Sequence, residues 1–224
     1  MVDKVIETNM VSIVGKVVGE NEFSHEMYGE KFYIFNLEVP RLSDSVDILP
    51  ITISERLIFG IDFTIGQYVI IEGQLRSYNR FINSMNRLVL TIFARTIHIP
   101  DEDELNERLR KPNEIFLDGY VCKKPIYRTT PFGREITDLL IAVNRPYNKS
   151  DYIPCIAWGR NARFCENLII GDHIKLWGRI QSREYQKKHH SGEVETKIAF
   201  EVSISKLEFV ENDNNRMEVL DVEG

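Results

Sequence analysis

The chain is poor in cysteine and has none in a paired motif. Cys122, Cys155 and Cys165 form no C-x-x-C, so neither a zinc clip nor a disulfide framework is suggested. No apolar run approaches the ~18 residues of a membrane span, and Met1-Val2-Asp3-Lys4 lacks the apolar core of a signal peptide. A cytoplasmic protein with reduced thiols and no membrane partner is expected. Walker, G-x-S-x-G, H-E-x-x-H and paired-carboxylate motifs are also missing. His189-His190 lies among lysines without cysteine or clustered acid nearby, while His25, His98 and His173 are isolated. Neither an enzyme nor a metal site nor a bound cofactor is expected.

What is present suits a folded protein. The 224 residues are 43% hydrophobic and 28% charged, enough for one large domain or two small ones. A net charge of −6 argues at first against a nucleic-acid partner, but the charge is unevenly placed. Residues 1–100 carry 9 basic and 12 acidic side chains, residues 112–210 carry 15 and 12, and residues 211–224 carry 1 and 5. A basic body with an acidic tail is hidden in the total.

One unit is written twice. Gly15, Gly29, Val39, Arg41, Asp47 and Pro50 recur 104 positions later as Gly119, Gly133, Val143, Arg145, Asp151 and Pro154. Gly66, Gly73 and Ser77 then match Gly171, Gly178 and Ser182 at a spacing of 105, and Leu90-Thr91-Ile92 matches Phe200-Glu201-Val202 at 110. The added residues fall around Lys187–Gly192. Such a recurrence signals a duplicated domain.

Each copy reads as strands. In the second, Glu114–Lys123, Glu135–Asn144, Tyr152–Trp158, His173–Ser182 and Lys197–Phe209 are rich in β-branched and aromatic residues and bounded by Gly, Pro and Asn. A helix-like stretch, Asn161–Leu168, follows the third, with Ser54–Phe63 as its counterpart. Five strands with a helix after the third is the layout of an OB-fold, a small Greek-key barrel; another small barrel or sandwich also fits the pattern. The expected fold is all-β: two tandem OB-fold barrels, 1–100 and 113–210, each with a short helix between strands three and four. Residues 101–112 form a short helical linker capped by Asp101, with Glu104/Arg108 and Glu107/Lys111 placed for i,i+4 pairs and Leu105/Leu109 as an apolar stripe. An acidic tail, 211–224, follows.

In the second copy, alternation along strand three sets Tyr152, Pro154, Ile156 and Trp158 on one face and Ile153, Cys155 and Ala157 on the other. Single strands are held without strong sequence preference by stacking bases on such aromatics along a basic groove. Arg145, Arg160, Arg163 and Arg183 flank the aromatic positions, and Lys123, Arg128 and Arg134 belong to the first hairpin. Lys175, Trp177 and Arg179 share another strand face, where Trp177 is read as a barrel–barrel contact.

Leu139–Tyr147 and Asp151–Arg160, with Pro125-x-x-Arg128-x-Thr130-Pro131-x-Gly133 and Gly178–Tyr185, resemble the bacterial single-stranded DNA-binding proteins. The resemblance is strong over about residues 113–210 and reaches 9–100 only through the repeat. It implies that Tyr147, Tyr152, Trp158 and Tyr185 stack bases; Arg128, Arg134, Arg145, Arg160, Arg163 and Arg183, interleaved with these rings, are expected to supply the positive track of the nucleic-acid-binding surface. It implies single-stranded DNA as the partner, a role in replication, recombination or repair, and a homodimer of four barrels. That family ends in an acidic tip closing on Pro-Phe, which recruits replication and repair enzymes; this chain reads Leu220-Asp-Val-Glu-Gly224, so recruitment by that route is not expected, and other replication or repair partners stay open. A primosome-type accessory protein and an RNA- or tRNA-binding OB module are the alternatives.

The first copy lacks the aromatic set. The counterparts of Tyr147, Tyr152, Trp158 and Tyr185 are Ser43, Ile48, Ser54 and Arg80, and Glu72 stands opposite Trp177. A structural or assembly role is expected for it.

Overall fold

The computed structural model describes residues 7–59, 61, 64–82, 85–188 and 194–211. The first half comprises strands β1 (Asn9–Met27), β2 (Glu30–Pro40) and β3 (Val46–Ser54), helix α1 (Glu55–Ile58), and strands β4 (Tyr68–Ile82) and β5 (Met85–His98). β1 pairs with β2 and β4, β2 with β3 and β4 with β5, and the ring closes where β3 meets β5 in parallel at Ile51 and Ile92. The second half repeats this circuit with β6 (Asn113–Val121), β8 (Glu135–Arg145), β9 (Lys149–Trp158), α3 (Arg160–Glu166), β10 (His173–Lys188) and β11 (Val194–Phe209). Its parallel closure joins Cys155 to Val202. These are two tandem OB-fold barrels, closed because alternate residues point inward: Leu49, Ile51 and Ile53 in one, Ile153, Cys155 and Ala157 in the other, all buried. Burial raises the Cys155 thiol well above its ordinary value and pushes Cys165 up to about 12, so both are inert apolar filling near neutral pH.

The halves differ in detail. Where the first has one long β1, the second has β6 and a separate short strand, β7 (Ile126–Thr129), because Pro125 has no N–H to give to a ladder. β10 and β11 extend well beyond the expected bounds into a long hairpin, while α1 is shorter than the expected Ser54–Phe63; residues 60, 62 and 63 lie outside the described residues. His189-His190 and residues 212–224 of the acidic tail also fall outside them.

Both barrels carry the same bulge, one between β4 and β5 and one between β10 and β11. Opposite Glu72-Gly73 the partner strand skips from Thr96 to Ala94, and opposite Trp177-Gly178 it skips from Lys206 to Ile204. Each bulge presses a backbone against the glycine. A Cβ on Gly73 would collide with the Phe93 carbonyl oxygen, and one on Gly178 with that of Ser203. Only glycine fits either place.

The connector forms helix α2 (Glu102–Arg108), and the Asp101 carboxylate accepts the Glu104 N–H at 2.9 Å. The expected i,i+4 pairs do not form. Glu104 binds His98, Arg108 reaches across to Glu72 and Ser12, and Lys111 pairs with Glu114. Tertiary partners thus take the charges that an isolated helix would pair along its own face.

The barrels are joined by a pseudo-two-fold arrangement. β1 and β6 run antiparallel, from Asn9 opposite Leu117 to Ile13 opposite Asn113. The Asn9 side chain donates to the Leu75 carbonyl at 2.8 Å and accepts the Leu75 N–H at 2.9 Å, and Asn113 does the same with Ile180 at 2.7 and 2.9 Å. Two buried aspartates complete the joint. Asp47 accepts bonds from Arg41 of its own barrel at 2.6 and 2.8 Å, and from the N–H and hydroxyl of Ser182 at 2.7 and 2.9 Å. Asp151 faces Arg145 of its own barrel at 3.2 Å, and receives Arg76 at 3.0 Å and the Ser77 N–H at 2.7 Å from the other.

For Asp47, burial favours the neutral acid, but the Arg41 hydrogen bonds and the two Ser182 donors outweigh it and hold the carboxyl below its usual range. A depressed carboxyl contributes stability that is present above the unfolded value of ~3.9 and lost as pH falls through the lower folded value. Asp47→Ala should therefore cost about 3 kcal/mol of stability near neutral pH, since it leaves the partly buried Arg41 and two Ser182 donors without their acceptor. In denaturant titrations the gap from the wild type should narrow as pH falls from about 5 towards about 2. A constant gap would contradict the clasp.

Candidate nucleic-acid interface

The outer face of the second barrel gathers the aromatic residues. Strand register sets Arg128 opposite Ile136 and Ile136 opposite Trp158, so the three form one row across β7, β8 and β9. At ~4.8 Å per strand spacing, the Arg128 and Trp158 backbones lie roughly 10 Å apart. Ser203 of β11 pairs with Ile156 on one side and Arg179 on the other, and its hydroxyl receives the Trp158 indole N–H at 3.3 Å. Tyr152 stands on the same face of β9 opposite Ala142, and Tyr185 lies on β10 opposite Lys197. Tyr147 occupies the β8–β9 turn. Both Tyr147 and Asn148 have positive φ, 63° and 54°, an uncommon backbone for a tyrosine, and one that throws its ring clear of the sheet.

None of the four rings is core. Tyr147 is 94% exposed, Tyr152 47%, Trp158 38% and Tyr185 41%. Each therefore keeps a face or an edge in water at a cost that packing does not recover.

The cations divide into two groups. Arg134 and Arg160 are exposed and have no ion pair among the described residues. Arg128 forms a two-pronged bond to Asp138 at 2.9 and 3.3 Å, and those hydrogen bonds raise its already high pKa. Arg163 pairs with Glu135 at 3.1 Å, and Arg183 with Glu201 at 3.4 Å. These pairs are more than a third exposed on the arginine side, so solvent leaves them weak and exchangeable. Arg145 differs. It is turned to the buried Asp151, the same duty that Arg41 performs for Asp47, so its geometry is that of the clasp rather than of an open surface.

Two further contacts were not legible in the sequence. Ser77, in the first barrel, accepts the Tyr152 N–H on its hydroxyl at 2.7 Å while donating its own N–H to Asp151. The recurrence of Ser77 as Ser182 was visible, but nothing in the spacing named a partner. Glu201, buried beneath the face, accepts Gln181 at 2.8 Å and meets Arg183. Trp177 also differs from its expected barrel–barrel role. Its ring packs on Phe116, centroids 5.0 Å apart, and lies under the Lys206 ammonium at 4.5 Å, both within the second barrel.

The matched positions of the first barrel present another surface. Ser43 is exposed in its turn, and Ile48 replaces a ring with an aliphatic chain. Ser54 is buried, capping α1 by accepting the Arg56 N–H at 3.1 Å and bonding to Glu30. Arg80 is exposed. Glu72, where the second barrel has Trp177, anchors the linker through Arg108. No group of three or more metal-ligating side chains occurs among the described residues, and no helix among them is long and apolar enough to cross a membrane.

Comparison with known proteins agrees with this division. Single-stranded DNA-binding protein 1 of Staphylococcus aureus (strain COL) is 31% identical over 109 residues, 46% of this chain and 63% of that protein. Single-stranded DNA-binding protein A of Bacillus subtilis (strain 168) is 29% identical over 109 residues, 46% and 61%. The chain thus spans less than two thirds of the length of these relatives. The crystal structure of the wild-type single-stranded DNA-binding protein from Thermus aquaticus superposes with a TM-score of 0.72 at 18% identity, covering 91% of this chain and 93% of that one, which is a likeness of fold. Residues 112–210 match the model of the single-strand binding protein family. The second barrel is thus the part of the chain that is similar to the single-strand binding protein family.

Proposed function

We propose that the protein binds single-stranded DNA with little sequence preference, by stacking bases on the second barrel while its arginines neutralise phosphates. One observation carries the reading: the four aromatics Tyr147, Tyr152, Trp158 and Tyr185 are all exposed, and their first-barrel counterparts Ser43, Ile48, Ser54 and Arg80 are not aromatic. Rings and cations are interleaved, with Arg128 and Trp158 in one row. Arg128, Arg134, Arg160, Arg163 and Arg183 are the proposed phosphate contacts, and Arg145 supports the Tyr147 turn through Asp151. The first barrel serves as a buttress, its Ser77 fixing the backbone of Tyr152. In this reading the protein acts in the cytoplasm in replication, recombination or repair, alongside other proteins of those processes.

The test is a binding titration of oligothymidylate, duplex DNA and RNA across a series of salt concentrations. Single-stranded DNA should bind best, with an affinity that falls as salt rises, because counterions are released when phosphates are neutralised. Duplex binding as tight as single-strand binding would overturn the reading, and preference for RNA would favour an RNA-binding OB module.

Trp158→Ala should weaken single-strand binding by about 1–3 kcal/mol, the worth of one stacked base, and leave the salt slope nearly unchanged. Arg160→Ala should instead make the slope shallower. A melt of the Trp158 variant run beside the titration checks that the loss is not one of folding.

We further propose a homodimer, which would bring four barrels to one strand, the number implied by the resemblance of the second barrel. Light scattering at micromolar concentration should give twice the chain mass; a monomer would count against it.

A further inference from the structure

The first hairpin of each barrel ends in an aromatic followed by a left-handed glycine, Tyr28-Gly29 in one and Phe132-Gly133 in the other. Both rings are almost wholly in water, Tyr28 at 100% and Phe132 at 91% exposure. Their settings differ. Around Tyr28 lie Glu22, Glu26 and Glu30, with Lys31 the one nearby cation. Phe132 lies between Arg128 and Arg134, on the hairpin that Lys123 and Lys124 lead into.

The turn that carries Phe132 is well fixed. The Gly133 N–H donates to the Thr130 carbonyl at 2.8 Å, the Thr130 N–H to the Arg134 carbonyl at 2.8 Å, and the Arg134 N–H to the Thr130 hydroxyl at 3.0 Å. Pro131 presets the backbone at the first corner of this turn, and Gly133 takes the left-handed position, φ 75°. A rigid loop therefore holds a large apolar ring out of any core. Phe132 lies in the β7–β8 turn, four residues before Ile136, which pairs with Trp158. That places the Phe132 backbone at most about 13 Å beyond the Trp158 row along the strand direction, within the span of a strand bound to one OB barrel.

We propose that Phe132 is a further base-stacking site, extending the aromatic track past Trp158 along the Arg128–Arg134 hairpin. The inference rests on the single-strand reading and deepens it. The ring is the platform for a base, and the arginines on either side hold the flanking phosphates. Tyr28 is the matched position without that function, because the glutamates around it repel the backbone of a nucleic acid.

The experiment is oligothymidylate titration of the full chain at two salt concentrations, comparing wild type with Phe132→Ala, Phe132→Tyr, Phe132→Leu and Tyr28→Ala. Because both rings are exposed, none of these changes removes core, and thermal melts should coincide. Phe132→Ala and Phe132→Leu should bind about tenfold more weakly with an unchanged salt slope, Phe132→Tyr should bind as the wild type does, and Tyr28→Ala should have no effect. Wild-type affinity in Phe132→Ala or Phe132→Leu would overturn the proposal, as would an equal loss in Tyr28→Ala. A wild-type protein that binds no single strand would overturn the functional reading as well, so the two failures are distinct.

Discussion

Asp47 and Asp151 are buried without access to water, so each must find its counter-charge and hydrogen bonds inside the protein. The solution divides the work between barrels. Each aspartate meets one arginine of its own barrel and takes a serine N–H from the other. Neither barrel alone satisfies its carboxylate, so the joint is a condition of burying them. The same joint sets the second barrel's outer surface. Asp151 precedes Tyr152 and is tied to Arg145 below the Tyr147 turn, while Ser182 lies three residues before Tyr185 on β10. Three of the four exposed rings are thus within four residues of a clasp.

A duplication that keeps its joint is free to diverge on its outer faces. The bulge glycines, the paired asparagines and the aspartate–serine contacts recur in both halves because they answer to sterics and buried polarity. The exposed positions answer to neither. Tyrosine at 147 is serine at 43, and Trp158 is matched by a Ser54 that caps a helix. Charge follows the same division. The first hairpin is glutamate-rich where the second carries lysine and arginine. In the proposed reading, one barrel meets the strand and the other holds it in register.

The fold was largely legible because its signals are local. Alternating apolar residues, turn glycines and the recurrence at 104 and 105 residues already imply two barrels. What the sequence did not show are choices made by tertiary contact. Arg108 has Glu104 one turn away, yet it pairs with Glu72 on the barrel beneath. Arg145 looks like a phosphate ligand from its place beside Pro146-Tyr147, and only the buried Asp151 reveals what it holds. Trp177 stands on a strand face that suggested the other barrel, but the nearest ring is Phe116 across the β6–β10 pair. Charge and aromaticity name the candidates for an interface, whereas burial decides which of them are already engaged.

In the proposed reading a strand meets the second barrel while the first supports it. Photocrosslinking of oligothymidylate to the full chain, with the linked peptides mapped, tests it directly, since stacked rings sit against the bases they would join. Crosslinks are predicted at the segments bearing Tyr147, Tyr152, Trp158 and Tyr185, with little signal between residues 9 and 98. Crosslinks of equal yield on Tyr28, Tyr78 or other rings of the first barrel would contradict the account.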